Sequence, residues 1–179
     1  MALDRTGNLL GALALVLTDR MTEAMAAEGG ASASAAAALS WLHQFQQQPT
    51  VDLLGRVLGL TSSGTVRLLD RLVAEGYVER GSGTDGRATV ISLTPAGRAA
   101  AENLALARGK VLDQALRSLS PAERRALEKL HSKLLIGLIR DPGGVRWMCR
   151  LCDTGACWAG PGCPVTNTVH ARLAARQPS

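Results

Sequence analysis

Along the first third of the chain, apolar positions recur at helical rather than strand spacing. Leu9, Leu10, Leu13, Val16, Leu17, Met21 and Met25 keep near one face of a helix, which Gly29 and Gly30 then stop. An Ala-rich stretch from Ala31 runs into Leu39, Trp41, Leu42 and Phe45, predicting a second helix that ends before Pro49, because the residue preceding a proline is pushed out of helical geometry. Thr50 caps a third helix from Val51 to Leu58. Gly59-Leu60-Thr61 makes a tight turn, and Thr61 caps a fourth helix that runs through Val66, Leu69, Leu72 and Val73 to Gly76. Two short helices about such a turn read as a helix-turn-helix.

The period then changes. Tyr77-Val78-Glu79-Arg80 and Thr89-Val90-Ile91-Ser92-Leu93 alternate as strands, and the glycine-rich run from Gly81 to Arg87 between them is turn chemistry, so together they predict a hairpin shaped as a wing. Thr94-Pro95 opens a long helix to Leu119, and Ser120-Pro121-Ala122-Glu123 is a capping box that starts another. Leu127, Leu130, Leu134, Leu135, Leu138 and Ile139 give that last helix a broad apolar stripe. One small winged unit cannot cover so much apolar face, which points to burial against a second subunit. The expected fold class is mainly α with a small β wing: N-terminal helices over 1–45, a winged helix-turn-helix over 46–93, long dimerisation helices over 94–141 and a Cys-rich tail over 142–179.

Composition narrows the class. Hydrophobic residues make up 46% of the 179 and aromatics only 3%, which suits a core of packed helices. The net charge of +5 and pI near 9.5 favour a polyanionic partner. The Leu9–Leu17 run faintly resembles a secretory signal, but it is too short to span a bilayer, and Asp19 and Arg20 follow it before any cleavage-like site. A cytoplasmic protein with no membrane partner is the expectation.

On the fourth helix the pattern sets Val66, Leu69 and Val73 inward and Ser63, Gly64, Arg67 and Arg71 outward. Arg donates two parallel hydrogen bonds to guanine in a major groove, and hydroxyls bond bases or phosphates, so Ser62, Ser63, Thr65, Arg67 and Arg71 are candidate DNA contacts, with Arg67 the base reader. Arg87 at the wing tip suits a narrow minor groove, Asp85 would hold it or its turn, and Arg80 at the hairpin base would meet a phosphate.

The run Leu60-Thr61-Ser62-Ser63-Gly64-Thr65-Val66-Arg67-Leu68-Leu69-Asp70-Arg71-Leu72, then Gly76-Tyr77-Val78-Glu79-Arg80, Asp85-Gly86-Arg87 and Leu93-Thr94-Pro95-Ala96-Gly97, resembles the winged helix of the multiple-antibiotic-resistance regulator (MarR) family. The flanking helices extend the resemblance to about Leu9–Arg140. It implies a homodimer whose paired recognition helices read a pseudo-palindrome in double-stranded DNA, and a small-molecule or redox effector that changes their separation, usually relieving repression. Gly86 departs from a family pattern that often has a second Arg after the wing Asp.

All four cysteines fall in one segment, Cys149-x2-Cys152-x4-Cys157-x5-Cys163-Pro164, with glycines between them. Thiolates so spaced on a loop can close around a tetrahedral zinc ion, whose binding would supply folding energy that a short tail lacks. An iron-sulfur cluster is the alternative, favoured by the Cys-Pro ending, and disulfides fit a reducing compartment poorly. Trp147 and Trp158 would cover the metal or dock the tail, His170 would be a solvent-exposed helix residue or a spare ligand, and His43 and His131 would be structural. Four cysteines close a metal's shell, so an enzyme is not expected. A winged helix used only for protein contacts is the remaining alternative to a DNA-binding repressor.

Overall fold

The computed structural model describes residues 4–28, 32–45, 49–82, 89–140 and 144–175. Nine helices and one hairpin run in chain order through these residues. The first, α1 (Arg5–Ala27), begins at Asp4, whose carboxylate accepts from the Gly7 amide. Helix α2 (Ala33–Phe45) is the centre of the molecule: every residue from Ala35 to Leu42 is buried, as expected of a helix apolar on all sides. Its alanines let α5 and α1 close in, and Leu39, Trp41 and Leu42 fill the core with Leu54, Leu69, Leu72, Ile91 and Leu104.

Caps fix the next two helices. The Thr50 hydroxyl accepts from Leu53 N at the start of α3 (Val51–Leu58), and Thr61 does the same for Gly64 N at the start of α4 (Ser62–Ala74). Between them Gly59 takes a left-handed φ of 67°, and Leu60 N reaches back to Gly55 O at 3.0 Å, closing the end of α3. Gly76, at φ 75°, ends α4 in the same way, with Tyr77 N donating to Leu72 O.

The wing is an antiparallel pair, β1 (Val78–Ser82) and β2 (Thr89–Leu93), in a register that sets Val78 opposite Leu93 and Arg80 opposite Ile91. Pro49 and Thr50 add a short bridge on the other edge of β2, with Ile91 N donating to Pro49 O. The tip, including Asp85, Gly86 and Arg87, lies outside the described residues, as do Gly29 and Gly30.

Helix α5 (Pro95–Leu116) starts in a knot with the end of α4. Thr94 accepts from Gly97 N and donates to Gly76 O at 2.7 Å. Helix α6 (Pro121–Gly137) carries the expected capping box, with Ser120 and Glu123 satisfying each other's amides. The hydrogen bonds from Ser120 hold the Glu123 carboxyl below the usual carboxylate range.

The apolar faces of α1 and α6 stay open within one chain: of α1 only Met25 is buried, while Leu9, Leu10, Leu13 and Val16 are about half exposed. Helix α6 buries no residue, and Leu130, Leu134 and the capping Leu138 are open. One expectation needs correction: the tail is no loop, since it folds as α7 (Gly144–Met148), α8 (Thr154–Trp158) and α9 (Pro164–Ala174), with Val165 and Val169 buried. Among the described residues, no helix is long and apolar enough to cross a membrane.

A Cβ on Gly97 would collide with the Tyr77 carbonyl. Gly97→Ala is therefore expected to destabilise the fold by about 2 kcal/mol or more, read as a lowered denaturant midpoint with an unchanged m-value.

Candidate nucleic-acid interface and thiol cluster

Helix α4 is held by its apolar side. Leu68, Leu69 and Leu72 are buried, and Thr65 completes that face at 1% exposure. The Thr65 hydroxyl donates to Thr61 O at 2.9 Å and lies where a Cβ on Gly55 would come within 2.7 Å. Thr65 is thus a packing residue and not a DNA contact. Its type misled: a hydroxyl reads as polar, but here the preceding turn satisfies it.

Val66 and Val73, expected inside, are exposed instead. The outward surface is Ser62, Ser63, Val66, Arg67, Asp70, Arg71 and Val73, because burial of the residues at 65, 68, 69 and 72 rotates the helix about one position from the expected face.

The arginines of this surface differ in their engagements. Arg71 Nη2 donates to Ser32 Oγ at 3.0 Å and its Nε stands 3.5 Å from Glu75. Ser32 also accepts from Ala35 N at the head of α2, so Arg71 ties α4 to α2. Arg80 on β1 pairs with Asp70 on α4 at 2.7 Å, which fixes the base of the wing against the outward surface of α4. Both pairs are exposed, where such contacts contribute at most about 1 kcal/mol, so either arginine can exchange its partner for a phosphate. Arg67 makes no ion pair or side-chain hydrogen bond among the described residues. Ser32 and Asp70 were not legible as partners, since neither lies near its arginine in helical register.

The four thiols lie together. All line one cavity of about 660 Å³, with Gln44 and Phe45 from the end of α2, Trp158, and Val169 and His170 of α9. None forms a disulfide. The hydrogen bond from Cys149 brings the Cys152 thiol down to about 7, with the Arg108 and Arg150 charges adding to it, while Cys149, as the proton holder, is pushed up. Burial pushes Cys157 up. Burial acts on Cys163 too, but the amide and hydroxyl of Thr166 and the Val165 amide at the head of α9 outweigh it and lower that thiol.

The donor set fits a thiophilic ion, yet among the described residues no three His, Cys, Asp or Glu side chains already stand as a metal-holding group. Closing the shell would require loss of the shared protons and a drawing-in of the sulfurs. The Cys163-Pro164 pair has a simpler cause than cluster ligation, because Pro164 occupies the first turn of α9, where its missing N–H costs nothing. His170 is exposed on α9 and borders the cavity, and His131 is exposed on α6.

The tail is docked onto the body. Gln44 Oε1 accepts from Thr154 N at 3.0 Å and from its hydroxyl at 2.8 Å, Leu151 packs on the core, and α7 lies against α3. The Trp147 indole rests on Gly59, 3.7 Å from where a side chain there would begin, and Arg150 stacks over its other reach, 4.1 Å from the ring centre. Helix α9 packs on α6. The Gln44–Thr154 contact spans 110 residues of sequence, and no local pattern marks it.

Residues 30–88 match the model of the MarR family. No curated protein matches the sequence. Among solved structures the chain is similar to a probable transcriptional regulator from Pseudomonas aeruginosa, at 28% identity and a TM-score of 0.54 over 73% of this chain and 99% of that one. It is similar to wild-type MarR from E. coli, at 25% identity and a TM-score of 0.61 over 75% and 99%. A mutant of Staphylococcus aureus MepR, solved bound to an oligodeoxyribonucleotide, shares the fold at 17% identity and a TM-score of 0.57 over 76% and 100%.

Proposed function

We propose that this chain, which carries a MarR-family domain in a MarR winged-helix fold, is a DNA-binding transcriptional regulator that works as a homodimer. The observation that carries this is the outward face of α4, where Arg67 stands without an ion pair among the described residues, flanked by Ser62, Ser63 and Val66. Arg67 can take guanine O6 and N7 together, the hydroxyls can take phosphates, and Val66 offers an apolar surface to a thymine methyl. Arg71 and Arg80 add phosphate contacts by exchanging their exposed partners. Arg87, with Asp85 behind it, is assigned to the minor groove beside the wing. The S. aureus regulator of the same fold was solved with an oligodeoxyribonucleotide, which supports this use of the fold.

The second subunit follows from what one chain leaves open. Leu9, Leu10, Leu13 and Val16 on α1, Leu106 on α5 and Leu130, Leu134 and Leu138 on α6 are long apolar side chains at 46–66% exposure. Long apolar side chains left open in this number mark an interface, and a second copy offers the same three helices in return. A dimer sets two α4 helices on one side of a duplex, so the operator is a pseudo-palindrome. Occupying such a site blocks it to other proteins without any further surface, and repression is the direction of control proposed.

The thiol cluster is proposed to hold zinc, through Cys149, Cys152, Cys157 and Cys163. An all-thiolate shell leaves no open position for a substrate, so the ion would cross-link the tail and not perform chemistry.

Two outcomes are expected. Arg67→Ala should weaken binding to a duplex selected from a random pool by about 1–3 kcal/mol and relax preference at one base position, on a background in which affinity falls steeply with salt; unchanged affinity and preference would remove α4 from the interface. Protein purified anaerobically should be colourless, with one zinc per chain that Cys152→Ser releases. Visible charge-transfer absorption would instead assign the cysteines to an iron-sulfur cluster.

A further inference from the structure

Along the tail, prospective ligands alternate with anchors: Trp147, Cys149, Leu151, Cys152 and Thr154 follow one another within a single short segment. Trp147 lies on Gly59 in the turn of the helix-turn-helix, Leu151 packs on the core, and Thr154 is held by Gln44. Cys163, which lines the same cavity, starts the helix that packs on α6. The sulfurs therefore lie on segments that touch two different parts of the protein, the turn that sets α4 and the helix left open for a second copy.

We infer that the four-thiol cavity is a regulatory input: a thiophilic divalent cation bound there staples the helix-turn-helix to α6 through Trp147 and the Gln44–Thr154 contact, and so strengthens DNA binding. The inference rests on the zinc site and the DNA-binding dimer proposed above. Drawing Cys149 and Cys152 toward Cys157 and Cys163 holds the segment between Trp147 and Thr154 against α3 and the end of α2. Fixing α3 fixes α4, because Gly55 and Thr65 lock the two helices together. Fixing both relative to α6 sets the separation of the two recognition helices in a dimer joined through α6. A duplex then binds a dimer that no longer loses that freedom on docking, so affinity rises when the ion is present. Linkage requires the reciprocal, a tighter ion in the presence of duplex.

The test uses full-length protein stripped of metal and then titrated with zinc, with duplex affinity measured against the pool-selected duplex and zinc affinity measured by competition with a chromophoric chelator. Zinc should tighten duplex binding by about tenfold, and the duplex should tighten zinc by the same factor. Trp147→Ala should bind one zinc per chain and still bind the duplex, with zinc changing its duplex affinity by no more than about twofold; Gln44→Ala, a milder change, should reduce the coupling in the same direction. Zinc bound at one per chain with duplex affinity unchanged or lowered overturns the coupling and leaves the zinc site standing. Full coupling in both variants overturns the route through Trp147 and Gln44. Failure to bind zinc at all sinks the zinc site and this inference together, while salt-dependent duplex binding would still stand for the regulator.

Discussion

The close approach of α3 and α4 is the constraint on which the rest of this structure depends. Gly55 has no side chain where Thr65 must pass, and the Thr65 hydroxyl satisfies itself on the Thr61 carbonyl while filling that space. Any larger residue at 55 would push Thr65 outward and rotate α4. Gly59, in a left-handed conformation, then turns the chain within two residues, and Thr61 caps the new helix. The outward set from Ser62 to Arg71 exists because this inward set is fixed.

The same turn is where the tail touches the body. Trp147 covers Gly59 at a point where the backbone is bare, so the Cys-rich segment is packed on the turn that sets the outward face of α4. The tail is thereby a fourth support for α3, beside α2, α4 and β2. Its own apolar content is small, with Val165 and Val169 the buried pair, and its remaining hold is polar contact and the indole. A segment so lightly packed is stabilised by whatever else cross-links it, and the four gathered thiols are the groups able to do so.

Much of the fold was legible because its signals are local. Thr50, Thr61, Thr94 and Ser120 each announce a helix start by a hydroxyl placed three residues before an amide it accepts, and the glycines at 59 and 76 mark ends that need positive φ. The face of α4 was half legible: Leu69 was placed inside correctly, but Val66 and Val73 are outside and Thr65 is inside, since a hydropathy pattern does not register a satisfied hydroxyl or a valine turned to solvent. Long-range facts left no local trace. Arg71 meets Ser32, Arg80 meets Asp70, and Thr154 meets Gln44 only after the helices pack. The four cysteines were legible as a group from spacing alone; that they face the end of α2 was not. The wing residues Asp85 and Arg87 lie outside the described residues.

In the proposed dimer, two copies of α4 enter successive major grooves of one duplex face. Protection of guanine N7 from dimethyl sulfate reports that groove directly, on a duplex selected by the full-length protein. Two clusters of protected guanines, centred roughly 10 base pairs or a small multiple of that apart, are expected. A single cluster, or guanines that stay fully reactive while the protein is bound, would rule out that placement of the two helices.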